Sequence, residues 1–196
     1  MNEETGNNET GTRAQGAAYP RPSLAFYHPN GKGTGSAVRL ELHPAHDRTS
    51  GSIWLTAANQ MTIGDRRGAN PTFPRFDWEG RIVVKLEFDD LCKMLQVFRG
   101  ECEDIGEGRG IYHRSATATT KIVLRHLVEP IPGYSLELYR TPTAGEEMRA
   151  RFFFNPGEAL GLSEAIAGSM SVICFGIPVV VPHAADRKEV ADAAAA

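Results

Sequence analysis

The sequence predicts an α+β fold: a ββββα unit that occurs twice, forming two antiparallel four-stranded sheets with two helices packed between them. Three observations predict this fold. Short alternating apolar segments are separated by Gly, Pro, Asn and Asp, which is typical of antiparallel strands. Each half ends in a segment whose apolar residues recur at helical spacing. A Tyr-His pair followed by a polar bend and a Val/Leu/Arg strand occurs twice, at Tyr27 and Tyr112, 85 positions apart (112 − 27 = 85).

The first half contains four predicted strands and one helix. The strands lie around 24–28, 36–43, 51–58 and 80–88. A long basic and aromatic segment, Asp65–Trp78, precedes the fourth strand. In the helix that follows, Asp89 is the expected N-cap and Gly100 the expected end. The apolar residues of this helix fall at i, i+3, i+4 and i+7: Leu91, Met94, Leu95 and Phe98.

The second half repeats this order of elements. Strands are predicted near 110–116, 120–129, 134–141 and 148–154. The second helix is expected to begin with Asn155 as N-cap, Pro156 at the first helical position and Glu158 completing a capping box. Its expected apolar stripe consists of Leu162, Ile166, Met170 and Ile173.

The two halves are expected to correspond residue by residue. The offset of 85 that joins the tyrosines also joins Val38 to Val123 and Leu42 to Leu127 (123 − 38 = 85; 127 − 42 = 85). Because one sheet with a single helix exposes too much apolar surface, the two copies are expected to pack helix against helix beneath the two sheets. The alternative is a chance likeness between two Tyr-His hairpins in an unrelated β-rich fold.

The ends of the chain lack periodicity and are expected to be loose. The N-terminal segment has neither the basic nor the apolar region of a secretory signal, and no run of about 18 apolar residues indicates a membrane span. We therefore expect a cytoplasmic protein that does not contact a membrane, with its three cysteines reduced. The expected organisation is a disordered tail at 1–22, a single domain at 23–181 with repeats of approximately 23–100 and 109–177, and a flexible tail at 182–196.

The formal net charge of −3 over 196 residues excludes a general polycation. Any binding to nucleic acid must therefore come from a locally basic face. The sequence contains no HExxH metal motif, GxSxG nucleophile elbow or Walker loop. We expect neither an enzyme nor a cofactor or metal site.

The predicted strands interleave aromatic rings with positive side chains. Alternate residues of a strand share a face, so Lys121, Val123 and Arg125 are expected to point away from Ile122 and Leu124. A cation and a ring every ~7 Å suit a single-stranded nucleic acid, whose phosphates meet Arg and Lys while its bases stack on rings. For any single residue, a core or solvated-face role is the simpler interpretation. The joint pattern in both halves favours binding.

These residues resemble the Whirly family of single-stranded-DNA-binding proteins, which is related in fold to the PC4 coactivator and the PUR repeats. The likeness covers most of residues 24–177. The segment "RFDWEGRIVVKLEFDDLCKMLQV" is similar to the family's Tyr-Asp-Trp segment, with Phe76 in place of the usual Tyr. The segment "GIYHRSATATTKIVLRHLVEPIPGYSLELYR" is similar to the family's aromatic-His pair, lysine-bearing strand and Gly-Tyr hairpin. The family's Lys-Gly-Lys-Ala strand is reduced here to "NGKGTGSAV", in which Lys32 is the only lysine.

The resemblance implies sheets set like whirligig blades around the helices of a homotetramer, with single strands lying along sheet edges and between subunits. We predict a non-enzymatic protein that binds single-stranded DNA, largely independently of sequence, in replication, recombination or repair. The alternatives are an RNA-binding or annealing protein of the same fold and a structural protein whose ring-bearing faces meet protein. The predicted contact residues are Lys32, Arg39, Trp54, Phe76, Trp78, Tyr112, His113, Lys121, Arg125 and Tyr139.

Overall fold

A computed structural model of the chain describes residues 22–46, 49–65, 67 and 70–177. The strands are β1 (Ser23–His28), β2 (Ser36–His43), β3 (Ser52–Thr62), β4 (Arg75–Phe76), β5 (Ile82–Leu86), β6 (Ile111–Arg114), β7 (Ala118–Leu127), β8 (Gly133–Pro142) and β9 (Met148–Phe154). The helices are α1 (Phe88–Phe98) and α2 (Pro156–Phe175). Apart from Pro22, the predicted tails at 1–22 and 182–196 lie outside the described residues.

Two antiparallel sheets and two helices confirm the predicted fold class. The first sheet has the order β1-β2-β3-β5, with the two-residue strand β4 paired to the far end of β3. The second sheet has the order β6-β7-β8-β9. A helix follows each sheet, so the chain is a ββββα unit written twice. The short strand β4 was not predicted, and it lies in the long connection between β3 and β5.

One apolar core joins both halves. It contains inner-face residues of both sheets, such as Leu55 and Leu124, together with residues of both helices. In these strands every second residue is buried in this core. Because alternate residues of a strand share a face, the period of two places one face of each sheet over the helices. The predicted helical stripes face this core: Leu91, Met94, Leu95, Phe98, Leu162, Ile166 and Ile173 are buried, and Met170 is half-buried.

The N-terminus of α2 is as predicted, whereas that of α1 is not. Asn155 accepts a hydrogen bond from the Glu158 N–H at 3.0 Å, and the Glu158 carboxylate accepts one from the Asn155 N–H at 3.0 Å. In α1 the N-cap is Glu87, and not Asp89, because the capping box there is formed by Glu87 and Asp90. The Asp90 carboxylate accepts the Glu87 N–H at 2.9 Å, which satisfies a donor that the first helical turn leaves free.

The halves correspond strand by strand, but the offset of 85 is not kept throughout. In the first hairpin Tyr27 lies opposite Ala37, and in the second Tyr112 lies opposite Lys121. The offset across the second strand of each hairpin is therefore 84 (121 − 37 = 84). Seven residues separate His28 from its partner Ser36, whereas six separate His113 from its partner Thr120, so the chain between equivalent paired positions is one residue shorter in the second half.

This difference overturns two of the predicted equivalences. Val38 corresponds to Ile122, and both are fully buried in the core. The pairing of Val38 with Val123 and of Leu42 with Leu127 is therefore wrong by one residue. Because side chains alternate between faces, a shift of one residue turns each side chain to the other side of the sheet.

Helix α2 is apolar beyond the stripe that faces the core. By length and composition it is the one described helix that suits a membrane span, with a mean hydropathy of 1.3 and 28% of that window buried. Core helices of globular proteins meet the same criterion. The inner stripe of α2 belongs to the common core, and α2 is in contact with α1 and with strands β8 and β9. On its outer side Leu160 is 64% exposed and Phe175 is 88% exposed. Within the described residues, α2 thus carries two exposed large apolar side chains on its outer side, one near each end.

Candidate nucleic-acid interface

A row of alternating rings and cations crosses the outer face of the second sheet. Tyr112 lies opposite Lys121, Lys121 opposite Tyr139, and Tyr139 opposite Arg149, on β6, β7, β8 and β9 in turn. Residues directly opposite each other share a face and lie about 4.5–5.5 Å apart at Cβ. We refer to these four residues as the ring–cation row. The face predicted for Lys121 is confirmed as an outer face, since its neighbour Ile122 is fully buried in the core.

Each ring of the row has a cation over it. Lys121 Nζ lies 5.5 Å from the centre of the Tyr112 ring. Arg149 Cζ lies 5.0 Å from the centre of the Tyr139 ring. Both distances are within the range of cation–π attraction, which holds the charged groups beside the rings. The row therefore presents groups for phosphates and groups for bases side by side.

Glu137 organises the neighbouring positions on this face. Burial alone would raise the pKa of its carboxyl group, but hydrogen bonds from Tyr139 and Arg149 outweigh it and hold the pKa below its ordinary value. The Arg149 guanidinium donates to the carboxylate at 2.8 Å, and the Arg151 guanidinium lies 3.8 Å away. The hydrogen bond that the Tyr139 hydroxyl donates to Glu137 raises the pKa of Tyr139. An ionised Glu137 thus fixes a tyrosine and an arginine in place.

A cavity of about 320 Å³ opens over this face. Its lining combines rings, hydroxyl groups, cations and carboxylates, so it can receive a flat aromatic group with polar edges. Arg125, which was predicted to contact nucleic acid, is exposed beside it. The lining residues are Tyr112, Thr119, Lys121, Val123, Arg125, Glu137, Tyr139, Thr141 and Glu147.

The outer face of the first sheet carries a compact ring cluster. The Tyr27 ring lies 5.6 Å from the Phe76 ring and 6.4 Å from the Trp78 ring. The Arg39 guanidinium lies 5.5 Å from the centre of the Trp78 ring. The structure thus brings together three of the predicted contact residues, Arg39, Phe76 and Trp78. Trp54 lies on β3, two residues before Thr56, the strand partner of Arg39. Its ring stacks on the ring of His43, with 5.4 Å between the ring centres.

His113 and Lys32 lie apart from these two faces. His113 faces the helices, where its Nε2 is 3.1 Å from the Asp90 carboxylate. Adjacent strand residues point to opposite faces, so Tyr112 and His113 do not share a surface. Lys32 is exposed in the bend between β1 and β2. The position of His113 favours a structural role over contact with a ligand.

Sequence reasoning did not include Arg149, Arg151 and Glu137 among the contact residues. The signal for the two arginines was the period of two in "MRARFFF", which places both of them on one face of β9. Over the residue ranges that the structure describes, no three or more His, Cys, Asp or Glu side chains are grouped so as to hold a metal ion.

Comparison with known proteins identifies the fold of the chain. No protein-family model matches the chain, and no curated protein sequence matches it. Among solved structures, WHY1 from Arabidopsis thaliana superposes with a TM-score of 0.64 at 12% identity, over 91% of this chain and 96% of that chain. The chain has the Whirly fold.

Two further structures support this assignment. WHY3 from Arabidopsis thaliana has a TM-score of 0.61 at 13% identity, and covers 90% of this chain and 99% of that chain. The plant transcriptional regulator PBF-2 has a TM-score of 0.61 at 12% identity, and covers 80% of this chain and 84% of that chain. The Whirly likeness that the sequence indicated is therefore confirmed as a likeness of fold.

Proposed function

We propose that this protein binds single-stranded DNA on the outer faces of its sheets, largely independently of sequence, and acts in replication, recombination or repair. The observation that carries the proposal is the ring–cation row on the open face of the second sheet. Its cations neutralise phosphates, and each base that stacks on a ring contributes about 1–3 kcal/mol. The Whirly fold and the description of PBF-2 as a plant transcriptional regulator are consistent with a role on DNA.

The proposed working form is a homotetramer in the cytoplasm, with no cofactor. Support for self-association comes from the outer side of α2, where Leu160 and Phe175 are exposed. Exposed apolar surface of this kind is typical of protein interfaces, because its burial is favourable. A second copy of the chain would cover α2 and bring the sheets of neighbouring subunits close together.

Fluorescence anisotropy of a labelled oligothymidine, titrated with the full chain at increasing salt, tests the binding proposal. We expect binding at low salt and a shallow salt dependence, because few phosphates are neutralised. Each phosphate contact on a single strand contributes a slope of about −0.7 in log K against log salt. An absence of binding at low salt would remove the proposal.

A pair of variants locates the interface. Replacing both Lys121 and Arg125 by Ala removes two cations from the face and should reduce the salt slope by about 1.4 units, since each contact contributes about 0.7. Lys93→Ala, on α1, removes a cation elsewhere and should leave both affinity and slope unchanged.

Competition by an RNA of the same sequence identifies the sugar preference, because the 2′-OH is the group that distinguishes the two ligands.

A further inference from the structure

The outer faces of the two sheets differ, although the two halves repeat the same fold. On the second sheet, Tyr112 is followed across the strands by Lys121 and Tyr139. At the equivalent positions on the first sheet, Tyr27 is followed by Ala37 and then Ala58. Small residues therefore stand on the first sheet where a cation and a ring stand on the second.

The space above these alanines is filled by the chain itself. Ala37 is 0% exposed and Ala58 is 1% exposed, although both point away from the core. The connection between β3 and β5 lies against β3, where the Asp77 N–H donates to the Asn59 carbonyl at 2.9 Å. This connection carries Phe76 and Trp78, whose rings lie beside the Tyr27 ring. The planes of these two rings are inclined to the plane of the Tyr27 ring by 55° and 78°, respectively.

A base that entered between Tyr27 and Phe76 or Trp78 would have to separate these rings. Rings whose centroids are 4.5–7 Å apart already interact as aromatic pairs. The distances of 5.6 Å and 6.4 Å around Tyr27 fall within that range. The favourable free energy of stacking a base here would therefore be offset by the cost of separating the existing ring pairs.

Among the residues that the structure describes, no ring-bearing connection covers the outer face of the second sheet. The connection between β8 and β9 is only the segment 143–147, whereas that between β3 and β5 spans 63–81 and includes β4. Within the described part of the chain, neither Tyr112 nor Tyr139 has another ring at pairing distance. The cavity of about 320 Å³ lies where the first sheet has its own rings.

We propose that a nucleobase of the bound strand occupies the cavity lined by Tyr112 and Tyr139, and that the outer face of the first sheet takes no base. Phe76 and Trp78 occupy on the first sheet the place that the ligand takes on the second. This assignment rests on the proposed function, and it gives each protomer one base-binding face. The basic groups for the adjoining phosphates are Lys121, Arg125 and Arg149.

The matched positions Tyr27 and Tyr112 provide a direct test. Their exposed fractions are almost equal, at 53% and 55%, so truncation removes similar surface from each face. Tyr112→Ala should weaken the binding of oligothymidine about tenfold, which corresponds to the removal of one base–ring stack. Tyr27→Ala should change the affinity less than about twofold, since no base stacks on that ring. Equal reductions in affinity in the two variants, or a larger reduction in Tyr27→Ala, would overturn the assignment.

The native tryptophans provide a second readout that needs no truncation. The chain contains two tryptophans, Trp54 and Trp78, and both lie on the first sheet. Saturation with oligothymidine should leave their fluorescence nearly unchanged, whereas a Tyr112→Trp variant should be quenched. Photo-crosslinking of the unmodified protein to an oligothymidine that contains 5-iodouracil should label β6 or β8.

The outcomes separate the two proposals. Binding with quenching of the native tryptophans, or a crosslink at Trp78, overturns the assignment to the second sheet and leaves the proposed function intact. If oligothymidine fails to bind the unmodified protein at low salt, both proposals fall. Quenching in Tyr112→Trp alone, with a crosslink on β6 or β8, supports the assignment.

Discussion

His28 of β1 lies 2.7 Å from the Glu158 carboxylate of α2, which ties the first strand of one half to the helix of the other. The second Tyr-His pair makes the reciprocal contact, since His113 lies 3.1 Å from Asp90 of α1. Both carboxylates also complete the capping box of their own helix. The repeated histidines therefore join the two halves, while the repeated tyrosines face outward.

The first prediction concerns this link. Glu158→Gln should lower the free energy of unfolding by about 1 kcal/mol, because it weakens both the contact with His28 and the capping of α2. Urea unfolding followed by circular dichroism measures the change. Glu146→Gln, at an exposed position of the connection between β8 and β9, should be close to neutral. A double-mutant cycle with His28→Ala should show a coupling of about 0.5 kcal/mol or more, and additive effects would contradict the link.

The second prediction is a pH dependence that arises from Glu137. Its pKa is lower in the folded protein than its ordinary value of 4.5, so its ionised form stabilises the fold above that pH. This stabilisation is lost as the pH falls through the folded-state pKa. The loss of stability on acidification should therefore be smaller in Glu137→Gln than in the native protein. Urea midpoints at neutral pH and at about pH 3 measure it, and equal acid sensitivity would contradict the prediction.

The third prediction concerns the edge of the second sheet. Ser36 Oγ donates to the Arg151 carbonyl at 2.6 Å, and Asn59 Nδ2 donates to the Arg149 carbonyl at 2.9 Å, so side chains of the first sheet satisfy the open edge of β9. Ser36→Ala should lower the free energy of unfolding by about 1–2 kcal/mol, because it leaves a shielded carbonyl without its donor. The exposed control Ser50→Ala, in the connection between β2 and β3, should not lower it. Thermal or urea unfolding of the two variants makes the comparison.

The fourth prediction addresses the outer side of α2. Leu160→Glu places a charge on the proposed subunit interface and should shift the assembly towards the 21.4 kDa protomer. Analytical ultracentrifugation measures the shift. Ala144→Glu adds the same charge in the exposed connection between β8 and β9 and should leave the mass unchanged. A monomeric native protein would refute self-association through this helix.

Local patterns predicted most of the fold. The alternation in β7 and the capping box at Asn155 are set by neighbouring residues, so both could be predicted from the sequence. The N-cap of α1 was missed because a Glu at the end of a strand is a less common cap than the Asp two positions later. The change of offset from 85 to 84 depends on the length of a bend, which composition does not reveal.

The candidate site was only partly predictable. For Lys121 and Arg125 the alternation of the strand predicted a shared face, whereas the place of Tyr139 on that face depends on the pairing of β7 with β8. The same alternation separates His113 from Tyr112, so these two predicted contact residues lie on opposite faces of the sheet. The packing of Phe76 and Trp78 against Tyr27 depends on the path of a long connection, which is determined by tertiary contacts and not by local pattern.

The unequal connections have a consequence for how such a duplicated domain can diverge. On the first sheet the described part of the connection between β3 and β5 lies against β3 and carries Phe76 and Trp78 beside Tyr27, whereas the five-residue segment 143–147 between β8 and β9 carries no ring. Under the proposed assignment, a longer second hairpin that carried an aromatic residue would compete with a nucleobase for the space beside Tyr112 and Tyr139. Hairpin length and the size of the outward-facing strand residues, Ala37 and Ala58 against Lys121 and Tyr139, would then together decide which copy of this duplicated architecture can take a ligand.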